Sequence, residues 1–240
     1  MTLTPEKRDR LENLHSALIN DITDEMGIDD NVIPGTRIRP VWSKEPTVGT
    51  AHTAQRVDIG YAEGEWDPED DGDDEDEDAT EDDRDAEDID FFQYLEATEE
   101  GDFVVMAAPK DTEVGLWGEL LSTIVQENGA TGALIDGPTR DSTMIEQHEF
   151  PVWSDGHSAI ESFGRVSFRE WDVPVEVHDV TIAPGDVIFA DYQSIAVIDP
   201  DIVDEVLERG EEELEQENAV RSDIRDGDSV YEVWDRYGTL

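Results

Sequence analysis

The sequence predicts an α/β fold built on a parallel core. Three apolar runs of strand length carry that expectation: Phe103–Ala108, Thr131–Ile135 and Phe150–Trp153. Helical segments separate them, Gly118–Asn128 closed by Gly129, then Ser142–His148. Strands alternating with helices pair in parallel, because each crossover returns the chain to the same end of the sheet.

The other elements follow in order. Residues 5–27 read as one amphipathic helix, with Leu11, Leu14, Leu18, Ile19 and Ile22 at helical spacing and Gly27 as a stop. Pro34-Gly35 starts a turn, and Ile38 to Ala54 read as short strands. From Val166 only short strands are expected: Val166–Phe168, Val173–Val177, Val180–Ile182, Val187–Ala190 and Ile195–Ile198. An acidic helix from Asp199 to about Asn218 comes last. No internal repeat is present, and residues 1–240 are expected to form one domain.

Charge dominates the composition. The chain has 64 acidic and 16 basic residues, a net charge of −48. Between Glu65 and Asp88 lie 17 acids and one base, Arg84, so a region at about 62–92 is expected to be a solvated, mobile insertion. Within it Asp67, Glu69, Asp71, Gly72 and Asp78 loosely trace a calcium-loop spacing. Pro68 and the lack of an apolar residue after the glycine favour a plain surface loop. The rest of the chain is also acidic, and only Lys7, Lys44 and Lys110 are lysine. That pattern resembles proteins of salt-accumulating halophiles, where molar salt screens the repulsion. Nucleic acid and anionic membrane are poor partners for such a surface. The lack of an apolar leader or spanning run leads to an expected cytoplasmic location.

Several chemistries lack their residues. With no cysteine there is no thiolate nucleophile, disulfide or Cys-based zinc site. No G-x-S-x-G elbow, Walker lysine or G-x-G-x-x-G loop occurs. The five histidines form no H-E-x-x-H pair, and each reads singly as a surface or hydrogen-bonded histidine. Lys110 is the lysine best placed for a Schiff base, but nothing apolar beyond Pro109 flanks it, so it reads as a surface lysine.

One constellation remains. Gly115-Leu-Trp-Gly-Glu-Leu-Leu121 opens a helix whose unpaired amides suit a carboxylate or phosphate. Ile135-Asp-Gly-Pro-Thr-Arg-Asp141 ends a strand in a glycine turn and delivers Arg140 beside Asp141. Sites in α/β sheets gather at the carboxyl ends of strands. A guanidinium and a carboxylate facing a helix N-terminus fit an anionic substrate held with a divalent metal. A surface ion pair after a β-turn fits the same spacing.

These residues resemble the RraA-like family. The resemblance rests on W-G-E-L-L with 20 residues between Glu119 and Arg140-Asp141, and on Ile135-Asp-Gly137, Phe150-Pro-Val152, Pro184-Gly-Asp186 and Ala190-Asp191. Ala17 to Gly27 and Val48-Gly-Thr-Ala51 match the family's opening. The family contains metal-dependent 4-hydroxy-4-methyl-2-oxoglutarate aldolases and protein regulators of ribonuclease E. The resemblance implies a layered β/β/α sandwich of the swivelling phosphohistidine-domain type, assembled as a homotrimer or dimer of trimers with the site between subunits. For the aldolase branch it implies that Asp141 holds Mg2+ or Mn2+, and that Arg140 contacts the keto acid and stabilises the enolate. Gly118, Glu119, Leu120 and Leu121 would surround the pyruvoyl carboxylate. Glu119 stands where the aldolases commonly have aspartate. The substrate class implied is a small 4-hydroxy-2-keto acid, with oxaloacetate decarboxylation as a companion activity. The competing expectation is a non-catalytic regulator that docks on an RNA-processing enzyme. That branch tends to lose the acid of the Arg-Asp pair, which is intact here. A menaquinone methyltransferase label also occurs in the family, and the missing cofactor loop argues against it.

Overall fold

A computed structural model describes residues 3–43, 45–58 and 90–239. The acidic block and its calcium-like spacing lie outside the described residues.

The centre is a mixed sheet. In chain order its strands are β1 (Val32–Pro34), β2 (Arg39–Trp42), β3 (Thr47–Asp58), β4 (Asp102–Ala107), β5 (Gly132–Thr139), β6 (Val152–His157) and β7 (Val166–Trp171), then β10 (Val187–Ala190) and β11 (Ser194–Ile198). Between β7 and β10 the chain forms a separate hairpin, β8 (Val175–Val177) with β9 (Val180–Ile182). The sheet order is β1-β11-β10-β3-β4-β5-β6-β2, with β7 added to the far end of β3. The expected parallel unit of β4, β5 and β6 is present, and β3, one long strand where short strands were expected, joins it in parallel beside β4. The flanking pairings are antiparallel.

The helices are α1 (Pro5–Leu11), α2 (Ser16–Glu25), α3 (helical residues 90–96), α4 (Glu119–Glu127), α5 (Ser142–His148), α6 (Val203–Asp226) and α7 (Val230–Tyr237). Strand alternation sorts the core into two faces. Val104, Met106, Ala133 and Ile135 point to one face, where they pack with Tyr94, Val125 and Ile145 of α3, α4 and α5. On the same side Val48, Phe189 and Ile198 meet α1, α2 and α6. Phe103, Val105, Leu134 and Trp153 point the other way, against Val175, Val177, Val180 and Ile182 of the hairpin. Helices thus cover one face and a β-hairpin the other. No helix among the described residues is long and apolar enough to cross a membrane.

Three local expectations shift. The helix expected over 5–27 is two helices: α1 ends at Leu11 with Glu12 as its C-cap, and an extended His15 starts α2, capping it through Nδ1, which accepts from the Leu18 amide at 3.1 Å. Ser16 also donates from its amide and hydroxyl to Asp191, at 2.9 and 2.8 Å. The final acidic helix runs on to Asp226, where Gly227 closes it at φ 102°. A further helix, α7, follows it, started by the Ser229–Glu232 capping box.

Candidate active site

The Arg-Asp pair sits where β5 gives way to α5. Arg140 follows the last strand residue, and Asp141 adopts a left-handed φ of 55° as the N-cap of α5. Its carboxylate makes no capping hydrogen bond to α5. That leaves the oxygens, on a side chain 41% exposed, free to face the neighbouring segment.

That segment is Gly115–Gly118. It runs beside the end of β5, with Leu116 N–H donating to Pro138 O at 2.9 Å and Arg140 N–H donating to Trp117 O at 2.8 Å. Trp117 is buried, and its indole N–H donates to Ser122 Oγ at 2.8 Å, which donates in turn to Gly118 O. The tryptophan therefore pins the entry of α4 to its first turn. Gly118 is the N-cap and supplies no side-chain cap, so the first amides of α4 are left for another acceptor. Space, not backbone conformation, demands glycine there. Its φ of −151° is ordinary, but an added Cβ would lie 2.8 Å from Asp141 Oδ2 and 3.1 Å from Arg140 Cγ. At Gly115 an added Cβ would meet Ser158 O at 2.7 Å and Arg140 Cβ at 3.0 Å.

The structure thus brings Gly118, Arg140 and Asp141 together. Arg140 reaches two acids, Nε 3.6 Å from Asp141 Oδ2 and one terminal nitrogen 3.6 Å from Glu161 Oε1. Glu119 is engaged by two other side chains. Its largely covered carboxylate accepts from Thr123 Oγ1 at 3.2 Å and lies 3.0 Å from His148 Nε2. Leu120 projects outward, 71% exposed, while Leu121 packs partly into the helix-side core. Lys110 is a surface lysine, as read from its neighbours, 3.5 Å from Glu176 and 3.6 Å from Asp179. Those carboxylates, Asp179 first, hold its ammonium pKa above the ordinary lysine value, opposite to what a Schiff-base amine needs.

Sequence reasoning missed the partners His148 and Glu161. It also missed a second group, Asp136, Asp155 and His178, whose ligand atoms all lie within 4.8 Å of one another. In sequence His178 stands alone; the fold supplies its two carboxylates from other strands.

Residues 16–197 match the family model described as RraA-like: Aldolase/RraA. Protein DlpA of Legionella pneumophila is 24% identical over 233 residues, covering 97% of this chain and 34% of that protein. A protein of Halorhodospira halophila named "Putative 4-hydroxy-4-methyl-2-oxoglutarate aldolase" is 31% identical over 105 residues, 44% of this chain and 63% of that one. The chain therefore spans less than two thirds of these relatives' lengths. In fold it is similar to Streptomyces coelicolor RraAS2, described as an unusual member of the RNase ES inhibitor RraA protein family. The TM-score is 0.74 at 21% identity, covering 92% of this chain and 98% of that one. With the glycine corner, the Arg-Asp pair and a match over most of its length, the chain belongs to the RraA-like family.

Proposed function

We propose that this chain is a divalent-metal-dependent lyase that cleaves a 4-hydroxy-2-keto acid, such as 4-hydroxy-4-methyl-2-oxoglutarate, to release pyruvate. Oxaloacetate decarboxylation follows from the same enolate chemistry. The observation that carries the reading is the apposition of Arg140 and Asp141 to the uncapped N-terminus of α4 across Gly118. The name of the Halorhodospira halophila relative supports the substrate class.

The donor chemistry fits a hard ion such as Mg2+ or Mn2+. Asp141 offers a partly exposed carboxylate that its own helix does not use as a cap. Bound there, the ion would supply Lewis-acid polarisation of the 2-keto oxygen. The chain's own residues supply the rest. The first amides of α4, from Glu119 to Leu121, bind the substrate carboxylate at the positive end of the helix. Arg140 presents a planar cation to the 2-oxygen, where negative charge grows as the C3–C4 bond breaks. Glu119, steadied by Thr123 and His148, orients the water that accepts the 4-hydroxyl proton. The reading includes the trimer or dimer of trimers that the family resemblance implies, with a second copy meeting the site near the exposed Leu120.

The same reading takes the chain as one RraA-like unit of the swivelling phosphohistidine sandwich type, located in the cytoplasm, with residues 62–92 as an insertion. The test is pyruvate release over a panel of 4-hydroxy-2-keto acids in molar KCl, with and without EDTA. Turnover abolished by EDTA and restored by Mg2+ or Mn2+ is expected, and borohydride with pyruvate should trap nothing. A covalent adduct on Lys110 would overturn the reading.

A further inference from the structure

A second donor set lies on the other side of the sheet. Parallel pairing of β5 with β6 sets Ile135 opposite Ser154, so the next residues, Asp136 and Asp155, stand side by side. Strand alternation from Leu134 and Trp153 turns both toward the hairpin face. The β8–β9 hairpin covers them with His178. Its imidazole Nε2 lies 2.8 Å from Asp155 Oδ1 and 3.6 Å from Asp136 Oδ1. The three side chains border a cavity of about 440 Å3, which Arg37, Gln55 and Lys110 also line.

We propose that Asp136, Asp155 and His178 form a divalent transition-metal site, selective for Zn2+ over Mg2+. The first argument is geometric. A tetrahedral ion with bonds of about 2.0–2.2 Å keeps its donors roughly 3.3–3.6 Å apart. The two imidazole–carboxylate separations bracket that spacing, so small side-chain rotations complete the set. The second is electrostatic. Like charges on neighbouring strands repel, and the nearby ammonium of Lys110 is engaged by Glu176 and Asp179. His178 is the cation-capable group within 4 Å of both carboxylates, Lys110 and Arg37 line the same cavity, and a dication neutralises the pair. Third, His178 and Asp179 fill a two-residue turn at φ 47° and 71°, a backbone that favours glycine or asparagine. This chain places an imidazole there, and it lands on the carboxylate pair. Nitrogen ligation favours Zn2+, Cu2+ or Ni2+ over Mg2+, which prefers an all-oxygen shell. Three protein donors leave further positions open to the cavity.

The site shares no residue with Arg140 and Asp141, and Asp141 caps a helix on the opposite face. The two can therefore be tested apart. The full chain in molar KCl would be stripped of metal and dialysed against Zn2+ alone, with and without excess Mg2+. Molar salt suppresses diffuse binding to the acidic surface. Wild type and Asp141→Asn should both keep one saturable Zn2+ that excess Mg2+ does not displace. His178→Gly and Asp155→Asn should each weaken it by about tenfold or more. Glycine suits the turn's positive φ, so His178→Gly should fold as well as wild type while losing the Zn2+-induced rise in Tm. Asp155→Asn provides an isosteric second measurement. No saturable Zn2+ on wild type overturns the proposal. So does Zn2+ that Asp141→Asn loses while His178→Gly and Asp155→Asn keep it.

Discussion

His148 Nε2 lies 3.0 Å from Glu119 Oε1, so the last turn of α5 holds the first turn of α4. The contact ties together the two helices whose N-termini frame the Arg-Asp pair. It also restrains the carboxylate proposed to orient the water that accepts the 4-hydroxyl proton. Removing the imidazole with His148→Ala should lower kcat about fivefold, the effect of losing roughly 1 kcal/mol from a half-exposed hydrogen bond to a charged group. His148→Gln, which keeps a donor, should recover most of it. Steady-state pyruvate release with both variants checks this, and equal kcat for His148→Ala and wild type would leave the pair a surface contact.

Gly118→Ala should cost activity without costing the fold. The backbone there is ordinary, but the new methyl meets Asp141 Oδ2 at 2.8 Å and must push the Arg-Asp pair aside. Displacements of about 1 Å at reacting groups can lower rates about 100-fold. The expected result is a kcat/KM reduced by that order, with Tm within a few degrees of wild type. A large fall in Tm would show instead that the glycine serves packing alone.

Arg140→Lys preserves the charge but loses the planar fork. If Arg140 stabilises the enolate, the change should remove about 2–4 kcal/mol of transition-state stabilisation, read as a fall in kcat at unchanged metal affinity. Near-normal kcat would return Arg140 to the role of a partner for Glu161 and Asp141, 3.6 Å from each.

The parallel core was legible because β4, β5 and β6 are buried on both faces and read as apolar runs bounded by glycine turns. The apposition of the glycine corner and the Arg-Asp pair was legible too, since one precedes the helix after β4 and the other follows its neighbour β5. What escaped depends on distant partners. The break before α2 rests on Ser16 reaching Asp191 across the fold. The Asp136–Asp155–His178 group draws on two strands and a hairpin turn, and no local spacing announces it. By contrast, α7 carried a readable signal, Ser229 three residues before Glu232, masked by the acidity around it.

Arg56 gives a stability test away from the site. It is 8% exposed, stacks over Phe91 at 5.1 Å, and donates weakly to Leu116 O at 3.4 Å, while its Nε has no partner among the described residues. Burial pushes its guanidinium pKa down to about 10, so the group is charged at neutral pH in a site that opposes charge. Arg56→Met should therefore raise stability by about 1–2 kcal/mol. Below pH 9 arginine is protonated in both folded and unfolded chains, so this gain should be flat from about pH 6 to 9. As pH nears 10 the folded chain sheds the proton first, wild type becomes relatively more stable, and the gain narrows. Chemical denaturation across that range decides it; a less stable Arg56→Met would mean that the cation–π and carbonyl contacts outweigh burial of the charge.

The acidic block gives the last prediction, which rests on charge alone. Residues 65–88 carry 17 acids and one base, a third of the net charge of −48 in a tenth of the chain. Like charges so dense raise the free energy of the compact state, and salt lowers it again by screening at distances near 8–10 Å at physiological strength and about 3 Å in molar salt. Replacing the block with a short Gly-Ser linker should shift the KCl concentration needed for half-maximal stability downward, while kcat/KM in molar KCl stays within about twofold of wild type. The rate bears on function separately from the salt midpoint. An anionic substrate is repelled by this charge, so if the block lies near the site its removal should also lower KM at low salt. Thermal melts and pyruvate release over a KCl series read both effects. A kcat/KM that collapses at every salt concentration in an assembly of unchanged size would give the block a part in the reaction and overturn the reading of it as an insertion outside the catalytic unit.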